Sequence, residues 1–126
     1  MAGDHRRSDR LAESIRAEVA TFLSEGAKDP RIVGFVTVTG VETTRDMRHA
    51  TVFVSVMGTE SERMSTLDGL SSLAGHMRGR LGRALRLRVA PEIEFRLDES
   101  VQRAARIDAL LNQVRDGAPA PDDGDA

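Results

Sequence analysis

Apolar residues recur at two different periods along this chain, and the switches between them mark its elements. Leu11, Ile15, Val19, Phe22 and Leu23 step at three and four residues, an amphipathic helix that Ser8 or Asp9 is placed to cap and Gly26 to end. Pro30 keeps the loop Lys28-Asp29-Pro30-Arg31 from returning to helix. Phe35 to Val41 is β-branched and aromatic, while Ala50 to Met57 sets Ala50, Val52, Val54 and Val56 on one face; both read as strands. Thr43 to Arg48 is the hairpin between them, so the two pair antiparallel. A longer helical stripe follows a cap at Thr59 or Ser61, through Met64, Leu67, Leu70, Leu73, Met77, Leu81 and Leu85. Its interior glycines each cost roughly 1 kcal/mol against alanine, which predicts a kink near Gly75. Glu92 to Leu97 alternates again with Ile93, Phe95 and Leu97 inward. Asp98 or Ser100 then caps a last helix carrying Val101, Ala104, Ile107, Leu110 and Leu111.

The predicted order is α-β-β-α(kinked)-β-α. A right-handed crossover from the second strand brings the third in parallel. The result is a three-stranded mixed sheet with the second strand central and the helices packed on one face, an α+β fold of two layers. The expected division is a flexible N-terminus at 1–7, one domain at 8–114 and an acidic tail at 115–126. In that tail Asp116, Asp122, Asp123 and Asp125 stand among glycine and proline, which reads as disordered and solvated.

Composition sharpens this picture in three ways. The chain has 126 residues, enough for one modest core, and its 40% hydrophobic and 30% charged content is ordinary for a soluble domain. Zero cysteines exclude disulfides and thiolate metal sites. No apolar run is long enough to span a membrane, and the polar start lacks a secretory signal, so a cytoplasmic protein is expected. The formal net charge of −2 conceals an uneven distribution, because without the tail the domain is mildly basic.

The cations concentrate. No acidic residue lies between Asp68 and Glu92, yet arginines stand at 78, 80, 83, 86 and 88. On a helical wheel Arg83 and Arg86 fall opposite the apolar stripe, and Gly75, Gly79 and Gly82 line the same outer side. Arg78, Arg83 and Arg86 have no acidic partner four residues away. A planar guanidinium suits phosphate, and bare backbone permits close approach. The expected phosphate-contacting residues are therefore Arg78, Arg80, Arg83, Arg86 and Arg88, extended by Arg45 and Arg48 in the hairpin and by Arg7 and Arg10 at the start, and the family resemblance given below makes them the expected RNA-binding residues. Tyrosine and tryptophan are absent, and Phe22, Phe35, Phe53 and Phe95 stand at core positions, so recognition should rest on phosphates and RNA shape rather than stacking. His5, His49 and His76 lack metal-ligand spacing. Asp46 and Asp98 read as turn and cap residues, and no P-loop or nucleophile motif appears, so no enzyme and no cofactor are expected.

Several blocks resemble the bacterial ribosome-binding factor A family, which has a type II KH-like fold. They are Asp29-Pro-Arg31, Val36 to Val41, Asp46, Ala50 to Val56, Gly75-His-Met-Arg78, Leu87 to Phe95, Asp98-Glu-Ser100 and Arg106 to Leu111, spanning residues 7 to 111 in family order. The resemblance implies binding to the small (30S) ribosomal subunit and its 16S ribosomal RNA. It further implies late maturation and 5′-end processing of that RNA, a role in cold adaptation, and release linked to an assembly GTPase. A monomer when free, with no membrane partner, is expected. The family places Ala-x-Gly at the kink, where this chain has Leu73, Ala74 and Gly75, so Gly75 alone is expected to provide the bend. Gly79-Arg80-Leu81-Gly82 also matches the KH Gly-x-x-Gly loop, but a bend there would leave little helix after it. The alternatives are a protein-interaction module packing a partner helix on the glycine face, and a general KH-type single-stranded RNA binder.

Overall fold

The computed structural model describes residues 2–115. Its elements are α1 (Ala2–Ser24), β1 (Val36–Thr43), β2 (His49–Val56), α2 (Glu60–Ser72), α3 (Ala74–Ala84), β3 (Glu92–Leu97) and α4 (Ser100–Arg115). The sheet runs β1-β2-β3, with β1 antiparallel and β3 parallel to the central β2. This is the α+β fold with a mixed sheet that the periodicity predicts. Alternation along β2 turns Ala50, Val52, Val54 and Val56 toward the helices, each at most 2% exposed. Ile15 and Val19 of α1, Leu70 of α2, and Met77 and Leu81 of α3 are fully buried in the same cluster. Each such side chain contributes about 1.5–3 kcal/mol when removed from water, so this contact between layers carries the fold.

The first helix begins at Ala2, not at a cap near Ser8. No proline interrupts residues 2 to 8, and Ser8 is turned inward, its carbonyl accepting from Thr43 Oγ1 at 2.9 Å. Packing on β1 overrides the capping preference of serine, so residue 8 is not a break in secondary structure. The tail from residue 116 onward lies outside the described residues, as do the side chains of His5 and Val101.

Gly26, at φ 90°, ends α1 as expected. The following loop is clamped onto α2. Asp29 accepts from the Arg31 backbone N–H and from its Nε and Nη2 at 2.8–3.0 Å, and from Ser72 Oγ at 3.1 Å. Thr66, fully buried, accepts from Val33 N–H at 3.2 Å and donates to the Val33 carbonyl at 2.9 Å. A Cβ on Gly69 would lie 2.7 Å from Ile32 Cγ1, so only glycine admits the loop so close. Asp29-Pro30-Arg31 is thus a structural clamp.

The long helix breaks at Leu73 and not at Gly75. Thr59 and Glu62 form a reciprocal capping box at the start of α2. Leu73, at φ −92° and ψ 0°, closes α2 by donating to the Leu70 carbonyl and opens α3 by accepting from Met77 N–H. Gly75 sits inside the first turn of α3. The bend therefore falls two residues before the glycine that was expected to set it, at a half-buried leucine. α1, α2 and α3 pack on the sheet, and α4 follows the third strand with much of its described apolar surface open. Its Ile107, Leu111 and Val114 are 50%, 53% and 63% exposed.

Candidate nucleic-acid interface

Parallel pairing of β2 with β3 sets His49 beside Glu92, and Glu92 N–H donates to the Arg48 carbonyl at 2.8 Å. The β1–β2 hairpin therefore meets the α3–β3 connection at this end of the sheet. Asp46 shapes the hairpin by accepting from Thr44 Oγ1 at 2.6 Å and Arg48 N–H at 3.1 Å, with Met47 left-handed at φ 60°. These bonds, the Thr44 hydroxyl first, hold the Asp46 carboxyl below its ordinary value, and the Arg48 and His49 charges assist. On the other side Arg78 Nε donates to the Ala90 carbonyl at 3.1 Å, anchoring α3 to the connection. The middle of α1 closes the third wall.

Between these walls lies a cleft of about 780 Å³. Arg7, Arg10, Arg48, Arg78 and Arg88 line it, together with Leu11, Met47, His49, Leu87, Val89 and Ala90. Asp46 and Glu92 are its two carboxylates, and Glu92 Oε2 lies 3.5 Å from His49 Nδ1. Among the described residues, Arg7, Arg10, Arg78 and Arg88 form no ion pair. A surplus of guanidinium facing solvent in a concave surface attracts anions.

The nine arginines singled out from the sequence divide into three groups. Five meet in the cleft. Arg45 stands in the hairpin, engaged within the fold, and Arg83 lies exposed on α3, its Nη1 3.3 Å from where a Gly79 Cβ would be. Arg86 is not on a helix face at all. It is the left-handed residue, φ 53°, that follows α3, with its own N–H reaching the Arg83 carbonyl and Leu87 N–H reaching that of Gly82. That is a Schellman stop with arginine where glycine is usual. Arg80 is committed inward: its Nε and Nη1 donate to Glu18 and Glu25 at 2.9 Å, and its guanidinium lies 5.4 Å from the Phe22 ring centre. These contacts tie α3 to α1 and to the residue just after it, so Arg80 stands apart from the five cleft arginines with its guanidinium already paired.

Gly75 and Gly79 are exposed, whereas Gly82 is half-covered, its Cβ position 3.6 Å from Ala90 Cβ. Gly79 to Gly82 is regular helix, so it does not form a Gly-x-x-Gly loop. Of the phenylalanines only Phe95 is buried, and Phe35 is 80% exposed. With Val36 facing inward, alternation turns Phe35 out; Gly34, left-handed at φ 78°, makes the preceding turn. His49, Leu87 and Val89 are lining residues that sequence reasoning missed. Among the described residues no acidic or histidine cluster is arranged to hold a metal, and no helix is long and apolar enough to cross a membrane.

Fold and site together define a small two-layer α+β domain that presents an arginine-lined cleft. The profile of the family described as ribosome-binding factor A matches residues 7–111. A ribosome-binding factor A of Gemmatimonas aurantiaca is 67% identical over 114 residues, covering 90% of this chain and 78% of that one. One from Geobacter metallireducens is 48% identical, covering 87% and 92%. The solution structure of a Thermotoga maritima protein assigned as a ribosome binding factor A superposes with a TM-score of 0.63 at 38% identity, covering 71% and 85%. The crystal structure of the Thermus thermophilus ribosome-binding factor A shares the fold, with a TM-score of 0.61 at 24% identity. This chain belongs to the ribosome-binding factor A family.

Proposed function

We propose that this chain is an assembly factor that binds the free small ribosomal subunit through 16S ribosomal RNA, with its arginine cleft seated on RNA phosphates. The observation that carries this reading is the convergence of Arg7, Arg10, Arg48, Arg78 and Arg88, from separated segments, into one cleft. A guanidinium fork matches phosphate oxygens bidentately, and the names of the relatives supply the ribosome as target. The element order is that of a type II KH domain, but with Leu73 at the helix break arginine side chains replace the glycine backbone cradle. Binding favours one state of the subunit and so assists late maturation and 5′-end processing, most usefully in the cold; an assembly GTPase then releases the factor. No step of this requires chemistry by the protein.

Co-sedimentation with purified small subunits tests the assignment. The cleft variant R48E/R88E loses binding, whereas R83E/R86E, changed outside the cleft, keeps most of it. Equal retention by the two would remove the cleft from the reading.

A further inference from the structure

The arginine cleft holds more than phosphate can use. Leu11, Met47, Leu87 and Val89 share its walls with the cations, and Val89 is left 66% exposed. Its volume of about 780 Å³ lies within the roughly 300–1,000 Å³ of cavities that take a small organic ligand. Phosphates of a nucleic-acid backbone are met at the surface by charge and hydrogen bonds and need no apolar recess. A nucleobase does need one. Its faces are apolar, its edges carry donors and acceptors, and single-stranded RNA is read through such splayed bases.

The cleft also carries charge of the wrong sign for phosphate. Asp46 is employed in the hairpin turn, where its Oδ1 accepts from the Thr44 hydroxyl and the Arg48 N–H. Glu92 has no such task. Pairing with His49 and the bond from its N–H to the Arg48 carbonyl hold its main chain in place. Among the described residues its carboxylate is met by His49 Nδ1 alone, at 3.5 Å, with both side chains more than half exposed. Two carboxylate oxygens accept two parallel donors. Guanine is the RNA base that presents two adjacent donors, N1–H and N2–H, on its pairing edge. Adenine and cytosine set an acceptor beside the amino group, and uracil sets its single N–H between two carbonyls.

We propose that the cleft takes up one unpaired guanosine of the RNA, with the base against Leu87 and Val89, its N1–H and N2–H on Glu92, and its flanking phosphates on the arginines. The proposal deepens the phosphate-binding reading of the cleft and rests on it. Phosphate contacts supply attraction that ignores sequence. The recess adds selection, because a guanosine in a duplex must first be unpaired and unstacked, which costs least where the strand is already single. The protein thereby distinguishes an RNA in which that guanosine is free from one in which it is paired.

Fluorescence anisotropy of the full chain with short oligouridylates tests this, the central nucleotide being guanosine, adenosine or abasic. The guanosine oligomer should bind about tenfold tighter than the abasic one, the scale of discrimination a bidentate base contact gives. E92Q should erase the preference for guanosine over adenosine and bind the abasic oligomer tighter, because a negative charge beside five arginines is gone. V89S should shrink the gain of guanosine over abasic. Charge alone predicts that E92Q tightens every oligomer alike, and that result overturns the role of Glu92. Equal binding of guanosine and abasic oligomers, lost for both in R48E/R88E, overturns the base recess and leaves the phosphate reading standing. Affinities that R48E/R88E does not change overturn both. Guanosine 5′-monophosphate should compete poorly, since it brings one phosphate to the cleft. Competition as strong as the oligomer's own assigns the cleft to a free nucleotide and overturns RNA as the source.

Discussion

Arg86 shows how one residue is pulled between two demands. Its left-handed backbone completes the stop after α3, a conformation that costs a side chain with a Cβ roughly 1 kcal/mol and glycine almost nothing. R86G should therefore stabilise the fold by about 0.5–1 kcal/mol in chemical denaturation; unchanged or lower stability would mean the arginine side chain holds the turn. Asp29 makes the opposite case, a charge the fold relies on. Hydrogen bonds from the Arg31 side chain, then from its backbone N–H, hold its carboxyl far below the ordinary value of 3.8. A depressed folded value means that the clamp contributes fully above the unfolded value and is lost as pH falls through the folded one. D29N should melt below wild type at neutral pH, and the gap should persist at pH 4–5 and shrink only in stronger acid. A gap already closed near pH 5 would refute the clamp.

At the scale of elements, the docking of the 29–33 loop on α2 depends on Thr66, which serves both polar groups of Val33. T66V keeps the shape and orphans those groups, which should cost about 1–3 kcal/mol in denaturant unfolding. G69A should also destabilise, by roughly 1–3 kcal/mol through overpacking against Ile32. The elements themselves were largely legible in the sequence. Alternation found Ala50, Val52, Val54 and Val56, and the Thr59 signal found the start of α2, because in both cases the information is local. The break at Leu73 was not legible, since an ordinary leucine carries no break signal and nearby Gly75 drew the expectation. Phe35 misled for a related reason: an aromatic at a strand start says nothing about which face it takes until the register is known.

At the scale of the molecule, the cleft was legible as a list of arginines and invisible as a place. Arg7, Arg48 and Arg88 meet only because β3 enters parallel to β2, and Arg80 is paired only because the end of α1 and the turn after it bring Glu18 and Glu25 against it. For RNA binding, the logarithm of the affinity should fall with the logarithm of salt concentration, and the slope should become shallower by about 0.7–0.9 for each cleft arginine that contacts phosphate and is removed. Removing Arg83 should leave the slope nearly unchanged; an equal change for every surface arginine would indicate diffuse attraction with no defined cleft.

The parallel pairing of β2 with β3 has a further consequence, in time rather than space. Each pair in that register joins residues roughly forty apart, and contacts of such span form slowly. Until they form, the hairpin and α1 can assemble while the wall made by the α3–β3 connection is missing. A chain still emerging from synthesis, or one that has partly opened, therefore lacks a complete cleft, and on the function proposed above it competes poorly for RNA against finished copies. Fully folded protein is selected by geometry alone, and an RNA that binds only this state draws the population toward it.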